Sequence, residues 1–230
     1  MRHLLPLFFL LPVAAHDLED SDDELIYGIE VLTGYRSEYV DRGFKLANQL
    51  LEVQVGAEIA LSNQWLIDFG GWYGSETGSG DFDQTSLFFG THYEGEQWQT
   101  GLQLAYNRYS NLLFRDGVQV GPYFDQLMGE DWRLGAAIEY DSGAKGWYGK
   151  LEAEWSQPTG EHSYLALIGG LSATSDFYGN SGWNDGFARF SWSYHLNRHV
   201  TLTPFVGTSV ALDSARETRL FGGLWFAVNF

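Results

Sequence analysis

Carboxylates and bases recur at every second position along several apolar stretches of this chain. Glu30, Glu52, Glu58, Asp68, Glu139, Glu152 and Glu154 are the acids; Arg133, Lys150 and Arg189 are the bases. Enclosed together, such groups can do three things. Paired, they form a structural ladder. Unpaired around water, they sort ions by charge. Joined by a suitably placed histidine, they can hydrolyse a bound substrate. The last needs histidine and carboxylates at one rim. Asp81, Asp83, Asp176 and Asp185 could gather at one end, but His92 and His195 fall toward the other. Both histidines also have the parity of the polar face, which does not suit a Ser–His pair facing lipid. The chain is therefore read as a non-enzyme, with a barrel hydrolase the weakest of its readings. The acidic run from Asp17 to Glu24 lacks the glycine and spaced ligands of a calcium loop. No metal or other cofactor is expected.

The elements that carry these charges are strands. Apolar residues alternate with polar ones again and again, the period-2 signature of half-exposed β structure. Leu51, Val53, Val55, Ala57 and Ile59 oppose Glu52, Gln54, Gly56 and Glu58. Trp132, Leu134, Ala136, Ile138 and Tyr140 oppose Arg133, Glu139 and Asp141. Similar runs begin near Leu25, Trp65, Trp98, Trp147, Phe190 and Val200, and further ones lie at 84–94, 118–128, 163–173 and 218–230. Together they predict an all-β, antiparallel, up-and-down barrel of about twelve strands over 25–230. The sequence shows no second domain and no repeat.

Alternation alone does not say which face is outside. A soluble barrel is apolar inside; a membrane barrel is the reverse. Three features favour the membrane. Connections alternate in length, short at 62–63, 95–96, 129–131 and 197–198, longer at 37–48, 75–83, 109–117 and 174–183. The stretch 156–162 is long for a short-side turn, and 142–146 short for a long-side loop. Apolar-face aromatics collect at strand ends: Trp65, Tyr93, Trp98, Trp132, Trp155 and Tyr194 by the short turns, Tyr35, Tyr73, Tyr106, Tyr140 and Trp147 by the longer loops. Such girdles suit the two membrane–water interfaces. The opposite face carries too many charges for a dry core, because unpaired buried charges are costly.

The two ends of the sequence agree with this. Arg2 and His3, the apolar run Leu4 to Val13, and Val13-Ala14-Ala15 follow the order of a secretory signal. That run is far short of the roughly twenty residues a spanning helix needs. The expectation is a signal peptide over 1–15, removed after Ala15, then an acidic, disordered segment over 16–24. The final segment alternates Leu224, Phe226, Val228 and Phe230. Bacterial outer-membrane barrels commonly end this way, and the likeness implies recognition by the barrel-assembly machinery. The composition adds exclusions. Thirty acids against thirteen bases give a net charge of −17, which disfavours nucleic acid as a partner. There is no cysteine, so neither disulfides nor thiolate metal sites contribute.

The segment Gly34-Tyr-Arg-Ser-Glu-Tyr-Val-Asp-Arg42-Gly43-Phe44 resembles a motif of the TorF-type porins, or Gcw_chp-type bacterial outer-membrane proteins. Tyr39-Val40-Asp41-Arg42-Gly43 carries the match, with Asp41 where the family more often has an aromatic. The resemblance implies a channel-forming outer-membrane protein of undefined substrate. Physically, Arg42-Gly43 suits either a constriction loop turning into the lumen, with Arg42 against wall carboxylates, or a loop tip outside it. The leading expectation is a narrow porin for small hydrophilic solutes, with a cation preference from its acidic lining. The rival is a closed barrel whose loops bind or adhere. A plug from 37–48 would favour the rival; a continuous polar bore would favour the channel.

Overall fold

A computed structural model describes residues 27–78, 80–110, 114–213 and 216–230. The expected signal peptide and acidic segment lie outside the described residues. Twelve strands follow one another: β1 Tyr27–Asp41, β2 Phe44–Ala60, β3 Trp65–Glu76, β4 Asp83–Glu94, β5 Trp98–Tyr109, β6 Gly117–Met128, β7 Trp132–Asp141, β8 Gly146–Gly160, β9 Ser163–Phe177, β10 Asn180–His195, β11 Val200–Ala211 and β12 Arg219–Asn229. Each pairs antiparallel with its sequence neighbours, and β1 pairs with β12. The ring is closed, so no strand edge is left unpaired. This is the twelve-stranded antiparallel barrel expected from the alternation.

The two faces differ in the sense opposite to a soluble barrel. On β2, Leu51, Val53 and Val55 are exposed, while Glu52 and Gln54 are buried. Leu87, Phe89, Leu102, Leu104, Leu151 and Leu171 are exposed in the middle of their strands. Charged and amide side chains fill the inside instead: Glu30, Arg36, Asp68, Gln84, Asn107, Asp125, Arg133, Glu139 and Glu152 are all buried. The strand-end aromatics lie on the outer face and touch across strands. Trp65 meets Tyr93 edge-on at 5.3 Å between ring centroids, and Tyr93 stacks on Trp98 at the same distance. Trp132 is the register partner of Trp155, and Tyr140 packs on Trp147. Tyr35, Tyr73, Tyr106 and Tyr194 are exposed.

Short turns join the strands at 61–64, 95–97, 129–131, 161–162 and 196–199. Three of the expected connections are different, two at the other end and one at this end. The stretch 37–48 is not a long loop. Both strands run on through it, and Arg42-Gly43 alone makes the turn. Their φ values of 49° and 76° are those of a type I′ hairpin turn, whose twist matches that of its strands. The stretch 174–183 behaves alike, turning at Tyr178 (φ 48°) and Gly179 (φ 80°). Likewise 156–162 is strand up to Gly160 with a two-residue turn. In the first two, Tyr, Val, Phe and Thr residues keep the strand going; in the third, pairing of β8 with β9 continues to Gly160 opposite Ser163.

Inside, aromatic rings lie flat on the wall. Trp225 is the register partner of Gly34, Phe88 of Gly70, Tyr123 of Gly101, Phe187 of Gly170, Phe221 of Gly207 and Phe205 of Gly223. In all six pairs a Cβ built on the glycine comes within 2.4–2.7 Å of the partner ring. The missing side chain is the space the ring occupies. Rings that would otherwise cross the bore are thus folded against the sheet, a pairing that also restores packing to strand glycines.

Candidate functional site

The site is the lumen and the hairpin that enters it. Above Arg36 and Leu50 the hairpin leaves its neighbours. Pairing of β1 with β12 stops at Arg36–Gly223, and that of β2 with β3 at Leu50–Glu76. Gln49 has a φ of 48°, and the β1–β2 register slips between Tyr39 and Val40. Both features bend the ribbon. Thr77 covers the place where β2 departs, its backbone N–H and its hydroxyl both donating to the Gln49 carbonyl, at 2.8 and 2.6 Å.

The tip then docks on the far wall. Arg42 Nη2 donates to Glu139 Oε2 at 2.6 Å and to Gln119 Oε1 at 2.8 Å, and Nη1 lies 3.6 Å from Asp141. Its guanidinium lies over Tyr148, 5.1 Å from the ring centroid. Burial works against the charge, but the Glu139 and Asp41 carboxylates outweigh it and hold the pKa above the ordinary arginine value. Asn184 Nδ2 donates to the Arg42 carbonyl at 2.9 Å. Gly43 is required here twice over, by its positive φ and because a Cβ would lie 2.9 Å from Arg216 and 3.1 Å from Asn184. Tyr39, Leu46, Ala47 and Leu50 pack with Trp72, Phe82 and Phe114 in one apolar cluster. Phe44 reaches on toward Phe177. The hairpin is thus both Arg-bearing and aromatic.

Below it, the wall charges are largely paired. Glu52 accepts Arg36 Nε and Nη2, each at 2.7 Å, Trp72 Nε1 at 2.9 Å and Trp225 Nε1 at 2.7 Å. Four donors on one carboxylate satisfy its lone-pair capacity and lock two indoles against the wall. Arg133 bonds Asp125 at 2.9 Å and Glu154, and lies 3.6 Å from Glu152, which also accepts Lys150 at 2.8 Å. Arg189 extends over Trp225. Toward the short turns, Asp68 pairs with His92 at 3.0 Å, and Glu58 faces Asp68 across the strands. Glu30 is buried at the same end.

The sequence-selected wall residues therefore all point inward, and the structure brings most of them into two groups. Arg36, Trp72, Trp225, Asp125, Asp141 and Asn184 were not singled out from sequence. Trp72 and Trp225 could have been, since a tryptophan at a polar-face position needs a partner for its indole N–H. Asn184 and Asp185 are both buried because β10 slips register between Trp183 and Gly186, so no alternation rule reaches them. His92 and His195 lie at the short-turn end, apart from Asp81, Asp83 and Asp176. Among the described residues, no group of three His, Asp or Glu side chains is arranged to hold a metal ion. Leu224, Phe226 and Val228 share the outer face of β12, and Phe230, just past its end, is exposed.

No family model matches the sequence, and no curated protein matches it. Solved structures do. The KdgM porin in complex with disordered oligogalacturonate superposes with a TM-score of 0.56 at 10% identity, over 86% of this chain and 98% of that one. An outer membrane channel from Pseudomonas putida gives 0.55 at 11% identity, over 95% and 100%. The translocator domain of the autotransporter NalP from Neisseria meningitidis gives 0.57 at 14%, over 93% and 91%. At these identities the likeness is one of fold alone: the chain shares the closed antiparallel β-barrel of these proteins.

Proposed function

We propose that the protein spans a bacterial outer membrane as a narrow channel for small hydrophilic solutes, stoppered at one end by the β1–β2 hairpin. The single observation that carries this is the charged and amide-lined inner wall below the hairpin; the hairpin itself, held through Arg42, is the plug that favours the rival reading. The inverted polarity of the two faces supports membrane residence, because only a closed barrel meets every backbone hydrogen bond in lipid. The short turns then face the periplasm and the hairpin faces out. Carboxylates outnumber bases on the inner wall, which supports preference for cations. The motif Tyr39-Val40-Asp41-Arg42-Gly43 supports kinship with TorF-type porins. The secretory signal and docking of the Leu224–Phe230 segment on the assembly machinery belong to the same proposal.

A second reading is a closed barrel acting through its outer loops. The packing of Tyr39 and Leu46 on Phe82 and Phe114 favours it. Single-channel recording in planar bilayers under a salt gradient separates the two. The channel reading expects stable small steps with a cation-selective reversal potential. Folded, heat-modifiable protein that conducts neither as wild type nor as Arg42→Ala would leave only the closed barrel.

A further inference from the structure

Beneath the hairpin lies a cavity of about 230 Å³, room for roughly eight waters at ~30 Å³ each. Its two sides differ in chemistry. Gln54, Gln84, Asn107 and Gln119 line one side, from β2, β4, β5 and β6. Ile168, Phe187, Phe205 and Phe221 line the other, from β9 to β12. Arg36, Arg42, Lys150 and Arg189 also border it; the first three are engaged by Glu52, Glu139 and Glu152 respectively, and Arg189 lies over Trp225. Gln119 is engaged at both ends, by Arg42 and by Asp141, so the amides to consider for a ligand are Gln84 and Asn107. Gln84 is only 4% exposed. Its Nε2 donates to Ser86 Oγ at 3.1 Å, and Ser86 Oγ donates on to Asn107 Oδ1. That chain leaves the Gln84 carbonyl oxygen buried without a donor from the protein. An unmet buried acceptor costs about 1–3 kcal/mol, so the side chain is set for a donor that the barrel does not supply.

We propose that this cavity binds a neutral hydroxylated ring of monosaccharide size. One hydroxyl donates to Gln84 Oε1 and a neighbour accepts from the Asn107 amide, while the C–H face of the ring lies on Phe187 and Phe221. A few polar groups on one side and aromatic surface on the other is the usual make-up of a small-molecule site. An anionic ligand would compete with Glu52 and Glu152 for bases already taken. A cationic one would approach Arg36, Arg42 and Lys150 together. This goes beyond the channel reading and does not rest on it, since binding needs no path through the barrel.

The test uses the refolded protein in detergent and its own tryptophan fluorescence, because Trp72 and Trp225 line the cavity. The probe is glucose, with gluconate and glucosamine as charged analogues at equal ionic strength. A saturable change with glucose, weak or absent with both analogues, is expected. Gln84→Met should weaken it about tenfold, the worth of one hydrogen bond, while the protein keeps its heat-modifiable migration. Asn107→Leu gives the same readout should Gln84→Met fail to fold. No saturable response to glucose, an equal response in the folded variants, or a stronger response to gluconate would overturn the proposal. Glucose binding without conductance removes the channel and keeps the site; conductance without glucose binding does the reverse.

Discussion

Arg42 Nη2 lies 2.6 Å from Glu139 Oε2, although the two residues belong to opposite sides of a twelve-stranded ring. A hairpin tip has been carried across the bore and fastened there. Two consequences for conduction follow from the chemistry of the fastening.

Arg42→Ala removes the side-chain hydrogen bonds of Arg42 to the far wall, leaving the Asn184 bond to its carbonyl and the ring contacts of Phe44 with Phe114 and Phe177. The hairpin is expected to spend more time off the wall, so mean conductance should rise severalfold. Arg42→Lys should give an intermediate rise, because a single ammonium does not reproduce the planar fork that serves Gln119 and Glu139 together. Single-channel records of the three proteins check this. Unchanged conductance in Arg42→Ala would mean that the apolar packing of the hairpin, not its arginine, holds it.

Glu52→Leu should be among the most damaging single changes in the lumen. It strands the buried Arg36 guanidinium and removes the acceptor of two indoles. Breaking a buried pair from one side costs about 3–5 kcal/mol. Urea titration of the barrel in phospholipid vesicles would read the loss, and the emission of Trp72 and Trp225 would shift with it. The double variant Arg36→Met with Glu52→Leu should recover part of that loss, since no stranded charge remains.

Gly207→Ala tests the flat rings. Its Cβ would lie 2.7 Å from the Phe221 ring and 3.2 Å from the Ala188 carbonyl, so the ring must swing toward the axis. A cost of about 1–3 kcal/mol is expected for the overpacking. Gly169→Ala, on the outer face with nothing nearer than 3.7 Å, should stay within about 0.5 kcal/mol. Adding Phe221→Leu to Gly207→Ala should relieve the strain. Equal stabilities for the two alanine variants would remove the steric account.

Leu104→Arg tests the lipid band. Leu104 is exposed in the middle of β5, and Trp98 begins the same strand. Arginine facing lipid near the midplane costs about 2–4 kcal/mol and near an interface about 0–1 kcal/mol. Leu104→Arg should therefore be much more destabilising in vesicles than Trp98→Arg. Equal costs would argue against a membrane around this strand.

Much of the barrel was legible because its signal is local. Parity put Glu52, Asp68, Arg133, Glu139 and Glu152 on one common face, since a strand turns successive side chains to opposite sides, and the strand-end aromatics with the alternating connection lengths made that face the inner one. The aromatic strand ends were legible for the same reason. What escaped depends on residues far apart in sequence. Nothing local shows that Tyr39 and Leu46 pack on Phe82 and Phe114, so the 37–48 stretch read as a loop. The Glu52 cluster escaped because its donors come from three other strands, and their meeting depends on the register at which the ring closes. Asn184 escaped because a register slip in β10 breaks the alternation on which the reading relied.

The Trp225 indole and the Glu52 carboxylate that it bonds are 173 residues apart in sequence, and they meet only where β12 closes onto β1. Contacts of such separation carry a large loop-closure entropy and form late, after hairpins have zipped locally. Until the seam is shut, Glu52 lacks one of its donors, Gly34 lacks the ring that covers it, and β1 has a free edge. The same event that ends the sheet therefore also completes the interior. Assembly of this barrel has a natural last step, and a chain halted before it would be recognisable by loosely held tryptophans in an otherwise formed sheet.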